Sequence, residues 1–292
     1  MIGFTKTICR PLRAGMALIF CTSMFACTSI SPLSDDASGN AWILVDNFEA
    51  QESLDGWTVL DTQNDTDPFV PNPQITEIRQ EATRQNGFLI RKPADEGIVG
   101  NRKALAWKTL PEEIAVGSTA TIFTRINVEY FPNNHSFGLS NATAEEIAQL
   151  SYDAFEPMLR VTDKAESDGS QNDGTLMVLM GHKKYSKIFN AETGEVAKPL
   201  EPGEWYDIWY IVDNKVKSDG GQKYKVYIRG GEFKGQTLVF DGATFRIGRE
   251  KALTQFIAIC NTGPKKSPYG NGGVRYDDIY MAAGEELSSP LD

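Results

Sequence analysis

From Trp42 onward the chain is dominated by short runs in which apolar and polar residues alternate. A period of two predicts half-buried strands. The clearest run is Trp205 to Val212. Its alternation sets Trp205, Trp209 and Ile211 on one side and Tyr206, Ile208, Tyr210 and Val212 on the other. Both sides are largely apolar, which predicts a strand inside a layered sheet. Asp213 to Gly221 follows, with the turn formers Asn214, Asp219, Gly220 and Gly221. In the next run Tyr224, Val226 and Ile228 face one way, and Lys225, Tyr227 and Arg229 the other. One apolar face and one cationic, aromatic face predict a sheet with a core side and a working side.

The same pattern predicts strands at Trp42–Phe48, Ile75–Glu81, Phe88–Arg91, Ala104–Leu110, Ala120–Tyr130, Phe137–Leu139 and Met158–Val161. Later strands are expected at Leu176–Met180, Lys187–Phe189, Thr237–Phe240, Thr254–Asn261 and Val274–Met281. Residues 61–74 hold three prolines and read as a long polar loop. The only helical pattern is Ala144–Leu150. Many spaced strands with Gly/Pro turns predict an all-β, single-domain β-sandwich of jelly-roll type over residues 41–288.

The N-terminus follows other rules. Lys6, Arg10 and Arg13 precede an apolar run from Ala14 to Ala26 that is too short to span a bilayer. Residues 1–26 therefore read as a signal peptide for export. Ser23-Met24-Phe25-Ala26-Cys27 resembles a bacterial lipoprotein cleavage box, which implies acylation of Cys27 and sorting to the outer membrane; the plainer alternative is a secreted protein cut near Ala26. Residues 27–40 are rich in Ser, Asp and Gly and predict a flexible tether.

The chain carries 29 Lys+Arg against 39 Asp+Glu, a net charge of −10, and losing the three leader cations takes it to −13. Such an acidic chain is a poor match for nucleic acid or an anionic membrane surface. Contact with a membrane is expected only through the lipid anchor. Of the four cysteines, Cys9 and Cys21 leave with the leader and Cys27 carries lipid, so Cys260 has no partner for a disulfide. Stability is expected from a large core, with a metal as a further candidate.

Three stretches carry a family resemblance. They are Val45-Asp46-Asn47-Phe48-Glu49 with Asp55-Gly56-Trp57, then Gly203-Glu204-Trp205-Tyr206 with Tyr224-Lys225-Val226-Tyr227, and Gly273-Val274-Arg275-Tyr276-Asp277-Asp278-Ile279-Tyr280. Together they resemble the concanavalin A-like lectin and glucanase superfamily, including laminin-G-like and polysaccharide-lyase-like jelly rolls. The resemblance implies that the first and last strands pair and that the domain handles a glycan. Thr76-Glu77-Ile78-Arg79-Gln80-Glu81 is similar to the Arg-Ser-Glu-Leu-Arg-Glu strand of jelly-roll alginate lyases, which singles out Glu77, Arg79 and Glu81. The Gln-Ile-His and Tyr-Phe-Lys-x-Gly-x-Tyr strands of those lyases are absent, as is the Glu-x-Asp-x-x-Glu motif of jelly-roll glucanases.

Candidate chemistry falls into three groups. Asp46 and Glu49 near the first strand and Asp278 on the last could converge on a structural Ca²⁺, which takes about six to eight oxygens; a solvated acidic edge is the alternative. Arg125, Arg160 and Arg229, with Asn127, Lys225, Tyr227 and the loop residue Tyr269, could line one hollow for an anionic extracellular polysaccharide, since guanidinium forks pair with carboxylate or sulfate. The alternative is that Arg125–Glu129 and Arg160–Glu156 pairs decorate a solvated sheet. A lyase needs a neutraliser for the uronate, a base and an acid. Arg125, then His135 or Lys183, then Tyr185 or Tyr227 supply that set. The leading expectation is a polysaccharide-binding lipoprotein; a polysaccharide lyase and a structural envelope protein are the alternatives.

Overall fold

The computed structural model describes residues 41–49, 53–81, 86–166, 169 and 171–292. The leader, Cys27 and the tether to residue 40 lie outside the described residues. Nineteen strands follow in chain order: β1 (Trp42–Asp46), β2 (Trp57–Asp61), β3 (Asn64–Asp67), β4 (Ile75–Gln80), β5 (Gly87–Lys92), β6 (Val99–Asn101), β7 (Ala104–Ile114), β8 (Thr119–Val128), β9 (Asn134–Ser140), β10 (Phe155–Thr162), β11 (Met177–Leu179), β12 (Tyr185–Lys187), β13 (Phe189–Asn190), β14 (Glu195–Val196), β15 (Trp205–Asp213), β16 (Lys223–Gly230), β17 (Phe233–Thr244), β18 (Leu253–Cys260) and β19 (Val274–Ala283).

Two large antiparallel sheets pack face to face. The back sheet runs β17-β16-β15-β8-β19-β5-β4, with β1 paired on β19. The front sheet runs β12-β11-β10-β9-β18-β7-β2. The predicted pairing of first and last strands is present, with Trp42 opposite Ala282. The hairpin of β15 and β16 sits inside the back sheet, Trp209 facing Tyr227 in register. Tyr206, Ile208, Tyr210, Val212, Tyr224, Val226 and Ile228 all join the core, as their alternation predicted. Phe137, Leu139, Leu159, Val161, Phe256 and Ala258 meet them from the front sheet. Removing this apolar area from water is the main stabilising term.

Tyr224 and Arg91 are among the polar groups that cross the core. The Tyr224 hydroxyl donates to the Met158 carbonyl at 2.6 Å and accepts from the Leu179 amide at 2.8 Å, tying the back sheet to β10 and β11. Arg91, fully buried on β5, donates to the carbonyls of Ala258 and Ala104 on the front sheet and to Gln74 Oε1.

The strands β2, β6 and β14 are not among those expected from the sequence pattern, and two further segments depart from it. The polar loop contains β3, which pairs with β6. It is held by side chains, Asn64 Nδ2 donating to Val70 O at 2.6 Å and Val70 N donating to Thr66 Oγ1 at 2.8 Å, so no hydrophobic period marks it. β7 continues past Pro111 to Ile114, because its ladder with β18 is interrupted between Thr109 and Ile114 and the missing N–H costs no bond there. The helix α1 (Ala144–Leu150) matches its pattern, closed by a capping box in which Glu146 N donates to Thr143 Oγ1 and Thr143 N to Glu146 Oε2.

Candidate functional site

The outer face of the front sheet carries a cleft of about 430 Å³. Tyr152 and Tyr185, which line it, pack on a second apolar cluster formed by Leu105, Trp107, Phe155, Met158, Leu179, Ile257 and Ile259. On β9 the residues facing outward are Asn134, Ser136, Gly138 and Ser140, opposite in parity to Phe137 and Leu139 in the core. These small side chains are covered, Gly138 by the Pro157 backbone and Ser140 by its bond to Ala154 O, and of the row only Asn134 reaches the cleft. On β10 Leu159 and Val161 enter the core and Arg160 points out.

Arg160 is the centre of the cleft. Its Nη2 and Nε donate to Asn134 Oδ1 at 3.0 and 3.3 Å. Its Nη1 pairs with Glu166 Oε1 at 2.7 Å, and its guanidinium lies 4.6 Å from the centre of the Tyr185 ring. Lys164 repeats the arrangement: Nζ pairs with Glu166 Oε2 at 2.6 Å and sits 4.9 Å from the centre of the Tyr269 ring. Arg246 donates from Nη1 to the Tyr185 hydroxyl at 3.3 Å and from Nη2 to Asp153 Oδ1 at 2.8 Å. Asn261 Nδ2 donates to the Tyr152 hydroxyl at 2.6 Å, and burial pushes that phenol's pKa up. Arg102 and Lys103 enter from the start of β7, and Lys183 from the turn between β11 and β12, its φ of 59° lying in the left-handed region. The side chains of Arg102, Lys103 and Lys183 make no ion pair among the described residues.

Six cations thus face two carboxylates, Asp153 and Glu166, on a chain whose net charge is −10. From β7 to β11 the sheet takes four strand steps, about 19 Å at about 4.8 Å each. The arrangement is a positively charged trough with aromatic walls, wider than one small anion.

Of the residues singled out from sequence, Arg160, Lys183, Tyr185 and Tyr269 line this cleft. Arg125, Asn127, Lys225, Tyr227 and Arg229 do not. They lie on the outer face of the back sheet, on the far side of the core. The single hollow expected for Arg125, Arg160 and Arg229 is therefore not formed. Arg125 and Arg229 do share a face, but their charges are already spent. Arg229, Asp207, Arg125 and Asp277 stand in register across β16, β15, β8 and β19. Asp207 takes Arg229 at 2.8 Å and Arg125 at 3.1 Å, and Asp278 takes Arg125 at 3.2 Å. This row alternates plus and minus, and Trp205 and Trp209 stack on its two arginines. It holds the sheet's outer face together and presents no excess of cations. The Tyr227 ring packs on the aromatic cluster of Trp42, Phe123 and Trp209. The expected decorating pairs are also different: Glu129 binds Lys92, and Glu156 is buried against Arg249 and the amides of residues 247–249.

His135 is not a base within reach of a ligand. It sits between the sheets, 1 % exposed, with the parity of Phe137. Nε2 bonds the Gly272 carbonyl at 2.9 Å, so it carries the proton, and Nδ1 has no partner among the described residues. Burial, opposed by that bond, lowers its pKa to about 3, so the ring stays neutral. Arg79 lies on β4, an edge strand of the back sheet, in an exposed pair with Glu77 at 2.7 Å.

The three carboxylates expected to hold Ca²⁺ do not act together. Asp46 accepts from Phe48 N, Trp57 Nε1 and Lys108 Nζ, the last at 2.6 Å. Glu49 accepts from Gly87 N, and Asp278 binds Arg125. Among the described residues no three His, Cys, Asp or Glu side chains are grouped to hold an ion. Beside them Asp277 is fully buried, and burial with the neighbouring Asp278 charge raises its pKa to about 7.

No protein-family model matches the chain, and no curated protein matches it. Among solved structures it is similar to the marine PL-14 alginate lyase from Aplysia kurodai, with a TM-score of 0.48 and 11% identity over 72% of this chain and 87% of that one. It is similar to the GH131 β-glucanase catalytic domain from Podospora anserina, with a TM-score of 0.45 and 10% identity over 74% of this chain and 82% of that one. It is also similar to the basic winged bean lectin crystallised with Tn-antigen, with a TM-score of 0.44 and 8% identity over 83% of this chain and 98% of that one. All are concanavalin A-like jelly rolls, and the likeness is one of fold.

Proposed function

We propose that this is an exported, surface-tethered polysaccharide-binding protein whose front-sheet cleft holds an acidic glycan. The observation that carries the reading is the concentration of charge: six cations against two carboxylates in one trough of an acidic protein. Arg102 and Lys103 stand at one end, Lys183 at the other, with Arg160, Lys164 and Arg246 between. Cations distributed over about 19 Å suit a chain bearing an anion on successive sugars. Tyr185 and Tyr269 lie against Arg160 and Lys164 and hold those cations along the trough. Cys27 would anchor the protein through lipid, with residues 28–40 as the tether.

The test is titration of the purified domain with alginate and with a neutral glucan at two salt concentrations. Binding of alginate alone, weakening with salt, is the expected result. Equal binding of both, or of neither, contradicts the reading, and binding of neither leaves a structural envelope role.

A second reading follows from Lys183 and Tyr185 sharing the cleft with Arg160 and Asn134. These are the groups a uronate lyase needs. Lys183 would take the C5 proton, the freed electron pair would form the C4=C5 double bond, and the C4–O bond would break. The leaving oxygen would take its proton from Tyr185, with Arg160 beside the uronate carboxylate. Lyase action produces the ultraviolet absorbance of an unsaturated uronate. A rise that Tyr185→Phe abolishes supports cleavage, and a flat trace with bound alginate leaves binding alone.

A further inference from the structure

The loop after β10 places a carboxylate where a ligand's carboxylate should go. Glu166 spans the two central cations of the cleft, one oxygen 2.7 Å from Arg160 Nη1 and the other 2.6 Å from Lys164 Nζ. A third donor, Asn172 Nδ2, reaches Oε1 at 2.7 Å. The two cations it joins are the two that lie against the rings of Tyr185 and Tyr269. With Glu166 in place the Arg160 side chain is only 6% exposed, so a ligand reaches that guanidinium only if Glu166 leaves. Glu166 itself remains 23% exposed and can swing outward. Backbone bonds also join the described residues of this loop: Ala165 pairs with Gln171, Asn172 N donates to Lys164 O, and Gly169 N donates to Glu166 O.

We infer that Glu166 is an internal occupant of a uronate-carboxylate slot, and that an acidic glycan binds by displacing it from Arg160 and Lys164. The inference rests on the proposed glycan-binding role of the cleft and names the group recognised there. A carboxylate fits the slot because the two oxygens of Glu166 already serve both cations. An occupant of this kind sets specificity: a neutral sugar cannot replace its ion pairs, whereas a uronate can. It also keeps two cations paired while the cleft is empty, which avoids leaving a nearly buried guanidinium without a counter-charge.

The competing account is that Glu166 positions Arg160 for the ligand. The two accounts predict opposite signs. Glu166→Gln keeps the size and one acceptor oxygen but removes the charge. If Glu166 is displaced by the ligand, Glu166→Gln binds alginate about tenfold more tightly than the wild type. Glu166→Asp, which keeps the charge and shortens the reach, should fall between them. Binding of a neutral glucan should not change. Weaker or unchanged alginate binding by a folded Glu166→Gln, with the wild type binding, overturns the inference and leaves the cleft's function standing. Binding by neither protein overturns both. Should Glu166→Gln fail to fold, Glu166→Asp carries the test, and weaker binding or no gain in that variant overturns the inference.

Discussion

At the scale of single residues, two buried titratable groups give the fold opposing pH dependences. Asp277 has its pKa raised from 3.8 to about 7, by burial first and then by the Asp278 charge. The unfolded chain therefore ionises it more readily. Its contribution is fully present below about pH 4 and is lost as pH rises towards 7. His135 is the reverse case, lowered from 6.5 to about 3, so the stability tied to its neutral ring is lost as pH falls from 6.5 towards 3. Asp277→Asn removes the first slope. We expect the variant to match or trail the wild type at pH 4 and to exceed it at pH 8 by about 1–3 kcal/mol in urea unfolding. An unchanged difference at the two pH values would show that Asp277 ionises as freely in the fold as in the open chain. His135 also shows a limit of reading residues by type. A loop-flanked histidine suggests a base, but the alternation of His135, Phe137 and Leu139 already assigns it to the core side.

At the scale of elements, the sandwich depends on polar crossings, and Tyr224 is one of them. One hydroxyl serves the carbonyl of Met158 and the amide of Leu179. Tyr224→Phe leaves both without that partner inside the core and should cost about 1–3 kcal/mol. Hydrogen exchange should quicken first at β11 and β12, the edge of the front sheet, and not at β8 or β15. Uniform loss of protection would contradict a local tie. The strands themselves were legible because an alternating run says which residues face in and which face out. It does not say which sheet a strand joins. β8 and β10 carry the same kind of pattern, and Arg125 and Arg160 both point outward, but from opposite sheets. Much of the cleft was hidden for a second reason. Lys164, Glu166 and Arg246 come from irregular segments, and Tyr152 and Asp153 from a 3₁₀ turn, where no period exists to read. Arg160, Lys183, Tyr185 and Tyr269 were the part of the cleft that residue type alone brought out.

At the scale of the molecule, the two outer faces divide the work. The back face pairs Arg125 and Arg229 in a cross-strand row, and the C-terminal segment covers its aromatic cluster, Ser288 accepting from Trp42 Nε1 and Trp209 Nε1 at 3.1 Å each. The front face keeps Arg102, Lys103 and Lys183 without ion pairs among the described residues. Net acidity keeps nonspecific polyanions away, and the local excess of cations selects for a chain that can enter the trough. The most direct measurement compares alginate affinity for the wild type, for Lys103→Gln/Lys183→Gln on the front face, and for Arg229→Gln on the back face. The front pair should lose about tenfold, the 1.4 kcal/mol expected of two exposed charge contacts, with Arg229→Gln unchanged. Loss of affinity in Arg229→Gln with the front pair unaffected would contradict the assignment of the site to the front sheet.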